Sequence, residues 1–319
     1  MNGCSLLEPA GEIPGVETSE VPASAVETRG LSKCFGETYA VRDLDLTIPQ
    51  SEAFGLIGVN GAGKTTTLRM LMGLTKPSAG SIRIAGVDAL RQPHLVRQRI
   101  GFVPDLPNVY PWMRVRQAIE FCRSMYPGWN AARCDEMLHH FRLEPKKRVK
   151  QLSRGMKAKL ALVLAIVHDP EVLILDEPMS GLDPIVRDEF LDGTLRVLCD
   201  GRQTVLFSTH VLSDIQRVAQ RVGILHRGRL LFSGRVSDLT DRVRRIRAVL
   251  VDPEAALTEP LGTVWQRRNG REWLLTVREF DADVIDELKA HNHLERIDAF
   301  KLSLEEIFKD LVRGQESES

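Results

Sequence analysis

Three segments in the first third of the chain alternate apolar and polar residues, which is the pattern of strands with one buried face. They are Val26–Leu31, Leu44–Ile48 and Ser81–Gly86. Successive side chains on a strand point to opposite faces, so each segment would bury one face and expose the other. The pattern predicts an antiparallel sheet in this part of the chain.

Four other segments are continuously apolar, as strands buried on both faces of a parallel sheet are. They are Ala53–Ile57, Ile100–Pro104, Val172–Leu175 and Thr204–Ser208. Helical periodicity is found at Val115–Met125, Arg133–Phe141, Met156–Val167, Ile185–Leu198 and Leu212–Arg221. Strands that alternate with helices predict an α/β fold with a parallel sheet. A hairpin is predicted next, from Val222–Leu225 and Arg229–Phe232.

The last quarter of the chain predicts a small α+β appendage. It opens with a basic stretch of helical character, Val236–Arg247, in which we interpret Arg242–Arg247 as a solvated helix face. Strand patterns follow at Arg247–Val251, Thr263–Gln266 and Trp273–Val277, and helix patterns at Ala282–Ala290 and Leu304–Val312.

The predicted domain boundaries follow from these changes of pattern. Residues 1–25 are rich in Glu, Pro, Ser, Gly and Ala without periodicity, and are expected to be a disordered leader. The main domain is expected over 26–237, with a helical subdomain at about 105–165. An accessory domain is expected over 238–312 and a tail over 313–319.

Composition excludes several classes of protein. Lys+Arg and Asp+Glu both total 43, so the formal net charge is zero and gives no sign of bulk attraction to nucleic acid. The five cysteines are scattered and form no CxxC pair, which indicates reduced thiols rather than a disulfide scaffold or a zinc site. The longest apolar run, Leu160–Val167, is far shorter than the ~18–20 residues of a membrane span. We therefore expect a cytoplasmic chain.

The most informative segment, Gly58–Thr65, has two glycines separated by four residues and followed by lysine and threonine. It lies between the predicted strand Ala53–Ile57 and a helix predicted at Thr65–Gly73, the context that a phosphate-binding loop requires. Backbone N–H groups of such a loop form a nest for phosphate oxygens, while the lysine pairs with the β- and γ-phosphates and the threonine hydroxyl ligates Mg²⁺. The expected phosphate contacts are Gly58, Val59, Asn60, Gly61, Ala62, Gly63, Lys64, Thr65 and Thr66.

Two adjacent carboxylates, Asp176 and Glu177, end the apolar strand that starts at Val172. Two acids at the tip of a buried strand are costly without a cation beside them. Asp176 is expected to hold Mg²⁺ and Glu177 to polarise an attacking water. A surface turn with two acids is the alternative.

Ser153 precedes a predicted helix and is expected to cap it, which leaves free N–H groups for an anion.

In this order the motifs resemble those of the ATPase subunit of ATP-binding-cassette (ABC) transporters, over roughly Val26–Ser237. The resemblance depends on five ordered features: the phosphate loop, the signature Leu152–Lys157, the Asp176–Glu177 pair, the turn Ser180–Asp183, and His210 after its strand. It implies a P-loop NTPase core with a parallel sheet, an antiparallel β subdomain and a helical subdomain. It also implies that two chains close around two ATP molecules, with Mg²⁺, and that hydrolysis reopens them.

The resemblance also implies roles for individual residues. Lys64, Glu177 and His210 would be catalytic, with His210 contacting the γ-phosphate. Phe35 would stack on adenine, although a position in the core is an alternative for it. The remaining implied contacts are Asp105 with nucleotide and Mg²⁺, Thr65 and Asp176 with Mg²⁺, Asp183 with nucleotide, and Ser153 and Gly155 with the ATP of the second chain.

Two positions depart from the usual pattern of the family. Asp105 stands where a glutamine is usual, and it would add negative charge near the γ-phosphate. The signature has Arg154 and Met156 where glycine and glutamine are usual. With the segment Tyr126–Asn130 and the appendage, these departures resemble bacterial antibiotic-export ATPases and ATPases encoded beside a GntR-type regulator.

The expected function is therefore the ATP-hydrolysing subunit of an ABC exporter. Its partners would be a second ATPase subunit and an integral membrane permease, which would hold it at the inner face of the cell membrane, with no nucleic-acid partner. The alternative is a soluble ABC ATPase of a ribosome-, DNA- or cluster-assembly-associated complex. A third hypothesis makes the appendage a sensor that gates the ATPase.

Several weaker features stay open at this stage. Tyr110–Met113 is either an exposed aromatic segment that receives a partner's helix or a buried local cluster. His139–His140 and His291–His293 lack further ligands at metal spacing, so we expect them at the solvated surface.

Overall fold

The computed structural model describes residues 24–199 and 201–317. The leader predicted over 1–25 lies outside the described residues apart from Ser24 and Ala25, which begin the first strand. The strands are β1 (Ser24–Phe35), β2 (Thr38–Pro49), β3 (Ala53–Ile57), β4 (Ala79–Ile84), β5 (Val87–Asp88), β6 (Ile100–Val103), β7 (Val172–Asp176), β8 (Thr204–Thr209), β9 (Arg221–His226), β10 (Arg229–Arg235), β11 (Arg244–Leu250), β12 (Thr263–Asn269), β13 (Glu272–Val277) and β14 (Leu294–Lys301).

Helices connect most of these strands. They are α1 (Lys64–Leu71), α2 (Pro93–Arg99), α3 (Val115–Arg123), α4 (Ala131–His140), α5 (Arg154–Ile166), α6 (Pro184–Cys199), α7 (Leu212–Val218), α8 (Val236–Arg242), α9 (Ala282–His291) and α10 (Leu304–Ser317), with a 3₁₀ turn at Val149–Gln151. Within the described ranges, no helix combines the length and the apolar character that a membrane span needs.

The central sheet is mostly parallel, as the continuous apolar runs predict. Its strand order is β10-β9-β3-β8-β7-β6, and only β10 runs antiparallel to its neighbour. Ile57 pairs with Thr209 and Asp176 pairs with Ser208, so β3, β8 and β7 end side by side. The segments that follow these three strands therefore meet at one edge of the sheet.

Both faces of this sheet are buried, which explains why its strands do not alternate in polarity. In β3, Phe54 and Leu56 belong to one apolar core, and Ala53 and Ile57 belong to the other. The first core lies against the antiparallel sheet β2-β1-β4-β5 and helix α1, and the second lies against α5 and α6. The antiparallel sheet is the one predicted from the alternating segments.

The C-terminal part of the described chain is an antiparallel sheet of order β12-β13-β11-β14. A third core, centred on the fully buried Trp273, packs this sheet against α9. On the opposite side α10 meets the sheet, where Asp310 pairs with Arg245. This is the α+β arrangement that the sequence predicts for this region.

Several local predictions were wrong or incomplete. The basic run is not a helix face beyond Arg242, because β11 begins at Arg244 and buries Ile246 and Ala248 at period two. Helix α7 ends at Val218 rather than Arg221, since Arg221 pairs with Phe54 of β3. The sequence pattern did not predict β14, a mostly polar edge strand that pairs with β11, or the short helix α2. Helix α10 continues past Val312, through Ser317.

Candidate functional site

The phosphate loop joins β3 to α1, and its shape depends on Gly63. This residue precedes the helix with φ 106°, and a Cβ there would lie 2.4 Å from the carbonyl oxygen of Ala40. Only glycine satisfies both conditions, because other residues rarely adopt positive φ and would collide with the β1–β2 hairpin. At Gly63 the loop backbone therefore packs directly against the backbone of β2.

Lys64 is the first residue of α1, and its ammonium group turns back into the loop. The side chain is only 6% exposed, and Nζ donates to the carbonyl oxygen of Gly58 at 2.7 Å. Nζ also lies 3.1 Å from Oε1 of Glu177. A buried ammonium requires such partners, since an unpaired charge inside a protein is very costly.

Asp176 is buried at the end of β7 among hydroxyl groups. Thr65 Oγ1 donates to its Oδ1 at 3.1 Å, and Ser208 Oγ donates to the same atom at 2.7 Å. Carboxylate and hydroxyl oxygens are hard ligands of the kind that Mg²⁺ prefers, so these residues fit the ion. No group of three or more acidic, histidine or cysteine side chains arranged to hold a metal occurs in the described chain, so phosphate and water oxygens would complete the coordination.

Glu177 is held in a strained conformation by contacts on two sides. Its φ is +46°, which is unusual for a residue other than glycine. Its N–H donates to Ser208 Oγ at 3.0 Å, and its Oε2 lies 2.8 Å from Nδ1 of His210. Lys64 contacts Oε1 as an ion pair, although that oxygen has no hydrogen bond of normal geometry. The carboxylate thus lies between an ammonium and an imidazole.

A second buried carboxylate lies near this group. Asp214 in α7 is almost fully buried, and it accepts a hydrogen bond from Arg187 Nη2 at 2.6 Å. Burial raises the pKa of Asp214, although Arg187 opposes this effect, and the negative charge of Glu177 adds to the increase. The Arg187–Asp214 pair ties α6 to α7.

A cavity of about 280 Å³ gathers most of the predicted contacts. It is lined by Ala40, Val59, Asn60, Gly61, Ala62, Gly63, Lys64, Thr65, Thr66, Asp105 and Glu177. Ala40 and, beside the cavity, Ser208 were missed by the sequence analysis; for Ser208 the signal was a hydroxyl residue at the end of a buried strand. A larger cleft of about 580 Å³, around Arg133 and Asp169, contains none of the predicted residues.

Other predicted site residues lie outside this cavity within the chain. Ser153 caps α5 by accepting from the N–H of Met156 at 3.2 Å, as predicted, and Asp183 accepts from the N–H of Val186 at 3.1 Å. Gly155 is buried, and a Cβ there would lie 2.3 Å from Cγ1 of Val186. Phe35 ends β1 and is 57% exposed, which excludes the alternative of a core position.

The aromatic segment that follows Asp105 is exposed rather than buried. Trp112 is 63% exposed, and its ring centroid lies 5.7 Å from that of Tyr110. Phe121 of α3 contacts Tyr110 edge-on, with the ring centroids 6.4 Å apart. Exposed aromatic clusters of this kind are typical of protein–protein contact surfaces.

Of the histidines expected at the surface, His139 is exposed and His140 is half-buried. Asn292, between His291 and His293, is buried and accepts from the N–H of Thr258 at 2.9 Å, so this turn is a structural anchor.

Comparison with known proteins agrees with this geometry. The ABC transporter family model matches residues 41–180. Nod factor export ATP-binding protein I of Paraburkholderia xenovorans (strain LB400) is 40% identical over 225 residues, which are 69% of this chain and 73% of that protein. Bacitracin transport ATP-binding protein BcrA of Enterococcus faecalis is 30% identical over 297 residues, covering 91% of this chain and 96% of that protein.

Solved structures show the same fold. An ATP-binding subunit of an ABC transporter is similar with a TM-score of 0.63 and 28% identity, over 68% of this chain and 92% of that one. A dimeric ATP-binding cassette bound to ADP and phosphate is similar with a TM-score of 0.60 and 24% identity, over 66% of this chain and 98% of that one. The two curated relatives are named as ATP-binding proteins of export and transport systems. The chain therefore belongs to the ABC transporter family as an ATP-binding and ATP-hydrolysing subunit.

Proposed function

We propose that this chain uses the cavity beside Gly58–Thr65 to hydrolyse ATP and thereby drives export through a separate membrane permease. The observation that carries the proposal is the contact of Lys64 and His210 with the two carboxylate oxygens of Glu177. These residues follow three neighbouring parallel strands, β3, β8 and β7, beside a loop that can bind phosphate.

In this proposal the loop binds the ATP phosphates through its backbone N–H groups. Lys64 exchanges its contacts with Gly58 and Glu177 for the β- and γ-phosphates, a move that needs only rotation of its flexible side chain. Phe35, exposed at the end of β1, stacks on the adenine ring.

Thr65 and Asp176 would hold Mg²⁺, and Asp105 lines the same cavity, where it adds negative charge near the phosphates. When bound, the ion supplies positive charge that neutralises the phosphate oxygens. Ser208 keeps the Asp176 carboxylate in place by donating to Oδ1.

Glu177 orients the attacking water and accepts its proton. The carboxylate is freed for this role when Lys64 turns to phosphate, while His210 still holds Oε2. His210 also senses the γ-phosphate, because its imidazole is exposed beside Glu177. Positioning and charge neutralisation contribute most of the catalysis, since phosphoryl transfer needs little covalent help.

A second ATPase chain would complete each site. Ser153 is exposed at the start of α5, where free backbone N–H groups of the helix favour an anion. Ser153 and Gly155 lie outside the cavity of their own chain, which agrees with their assignment to the ATP of a partner chain.

The permease would dock on the surface formed by Tyr110, Trp112 and Phe121, and the chain would lie at the inner face of the membrane through this contact.

The direction of transport is inferred from two relatives, one named for Nod factor export and one for bacitracin transport. In the proposed division, residues 26–237 carry the ATPase and residues 238–312 form an accessory domain.

Two substitutions test the ATPase site. K64A should weaken binding of ATP more than about tenfold, because it removes a charge–phosphate contact. E177Q should retain binding but slow hydrolysis about a hundredfold or more, the usual contribution of a general base. Nucleotide binding and phosphate release are measured on the purified chain, with K309A as a surface control. Wild-type turnover in E177Q would exclude the role assigned to Glu177.

The transport half of the proposal has a separate test. A polytopic membrane protein should co-purify with the chain and change its rate of ATP hydrolysis. Isolation of the chain with ribosomes or DNA instead would favour the soluble alternative.

A further inference from the structure

The two residues that depart most in charge from the usual family pattern contact each other. Asp105 follows β6 and Arg154 begins α5, forty-nine positions later in the sequence. Arg154 Nη2 lies 3.7 Å from Asp105 Oδ1, and the side chains are 48% and 47% exposed. The negative charge at one position is thus met by a positive charge at the other.

Packing of α5 along β6 brings these residues together. At one end, a Cβ on Gly101 would lie 2.0 Å from the carbonyl oxygen of Ala165, so helix and strand are in close contact there. The helix from Arg154 to Ala165 spans about 16 Å, and the extended chain from Gly101 to Asp105 spans about 13 Å. Because the two elements run in opposite directions, their other ends meet at Arg154 and Asp105.

The guanidinium of Arg154 also lies against the turn that follows Glu177. A Cβ on Gly181 would lie 2.6 Å from Nη1 and 3.0 Å from Cζ of Arg154. Gly181 has φ +65°, so both its backbone conformation and the space beside it favour glycine. Arg154 therefore joins three segments around the cavity: the residues after β6, the start of α5 and the turn after β7.

Asp105 lines the phosphate cavity together with Lys64 and Glu177. ATP would bring several negative charges into this space, and an unpaired carboxylate at its rim would repel them. We propose that Arg154 is a positioning residue that pairs with Asp105 in its own chain and offsets this repulsion, so that the two residues act as one unit in ATP binding. This inference rests on the proposed nucleotide site.

The size of the effect follows from the exposure of the pair. Ion pairs between half-exposed side chains are worth at most about 1 kcal/mol because water screens them, so we expect changes of roughly three- to fivefold in affinity. The effect should concern binding more than turnover, since Arg154 contacts none of the proposed catalytic side chains.

A double-mutant cycle tests the pairing. Binding of AMP-PNP with Mg²⁺ is measured for the wild type, R154Q, D105N and the double variant, together with KM for ATP and kcat. R154Q should weaken binding and raise KM roughly three- to fivefold with little change in kcat. In the D105N background the same substitution should have less than about a twofold effect, because no carboxylate is left to neutralise. R154K should recover most of the affinity.

A matched control lies at the other end of β6. Arg99 Nη1 is 3.1 Å from Glu171 Oε1, and these side chains are 40% and 50% exposed, so the pair is similar in exposure but outside the cavity. R99Q and E171Q should leave AMP-PNP affinity unchanged. Thermal unfolding of each variant shows whether any loss of affinity is a loss of folded protein.

Each possible result of these binding measurements supports or overturns the pairing of Arg154 with Asp105. Equal losses for R154Q in the wild-type and D105N backgrounds would show that Arg154 acts independently of Asp105, for example only on the nucleotide of a partner chain, and would overturn the pairing. Unchanged affinity in R154Q would overturn it too. K64A separates this failure from a failure of the proposed site: if K64A also binds AMP-PNP normally, the site itself is misassigned.

Discussion

At the scale of single residues, Glu177 combines a proposed catalytic role with an unusual backbone conformation. The residue has φ +46°, a region that costs an L-residue about 1–2 kcal/mol. The surrounding contacts with Ser208, Lys64 and His210 hold it there. Its role could be predicted from two acids at the end of an apolar strand, whereas its conformation could not, because the contacts that impose it come from distant segments.

This strain gives a prediction about stability. E177G should be more stable than E177A by about 1 kcal/mol, because glycine adopts positive φ without a steric cost. Both variants lose the same carboxylate, so the comparison isolates the backbone. Denaturant unfolding measures the difference. The same pair of substitutions at Glu272, the first residue of strand β13, where it pairs with both neighbouring strands, should show the opposite order. Equal stabilities of the two Glu177 variants would contradict the prediction.

At the scale of elements, α10 is anchored to the C-terminal sheet by a buried ion pair. Asp310 is 0% exposed, accepts from Arg245 of β11, and also accepts from the hydroxyl of Thr276 in β13. Periodicity predicted the helix but not this anchor, since a charged residue is ordinarily expected on the solvated face. The partner strands supply the cation and hydroxyl that make burial of the carboxylate possible.

Removing that anchor should be costly. D310A should lower the free energy of unfolding by about 3 kcal/mol, because it removes the buried partner of Arg245 and leaves that side chain only the more exposed Glu306, 3.7 Å away. The neighbouring K309A breaks only an exposed pair with Glu305 on the same helix and should cost less than about 0.5 kcal/mol. Urea unfolding of both variants compares the two contacts directly. Similar losses for D310A and K309A would mean that Asp310 does not anchor the helix.

At the scale of the whole molecule, buried histidines couple folding to pH. His168 stacks on Tyr126 with ring centroids 4.0 Å apart, and its Nε2 lies 3.2 Å from the carbonyl oxygen of Ile100. Burial lowers the pKa of His168, and likewise those of His226 and His140, below the ordinary histidine value of 6.5. The three residues lie in different parts of the fold, so their effects should add.

The lowered pKa values determine the direction in which stability changes with pH. Below pH 6.5 these histidines bind protons in the unfolded chain more readily than in the folded one, so stability falls as the pH drops through and below 6.5. The loss should be smaller in H168Q than in the wild type, measured as the change in unfolding free energy between pH 8 and pH 5. H139Q, at an exposed position, is the control. An unchanged slope in H168Q would contradict the contribution assigned to His168.

Much of the fold could be predicted because its signals are local. Period-two alternation identified the antiparallel strands, and continuous apolar runs identified the parallel ones, since each reports how many faces of a strand are buried. The secondary-structure predictions failed where local composition favours one element but pairing with a distant segment imposes another. Arginines from Arg242 to Arg247 favoured an exposed helix, but burial of Ile246 and Ala248 against α9 selects a strand.

The sequence by itself determined the phosphate loop, the Asp176–Glu177 pair and the order of the motifs, because residue type and spacing along one chain specify these features. Only the tertiary structure decided which side chains meet. The contact of Glu177 with Lys64 and His210, the packing of Gly155 on Val186, and the pairing of Arg154 with Asp105 all join segments far apart in sequence. Strand register and helix packing set those distances, and neither can be derived from the composition of a single segment.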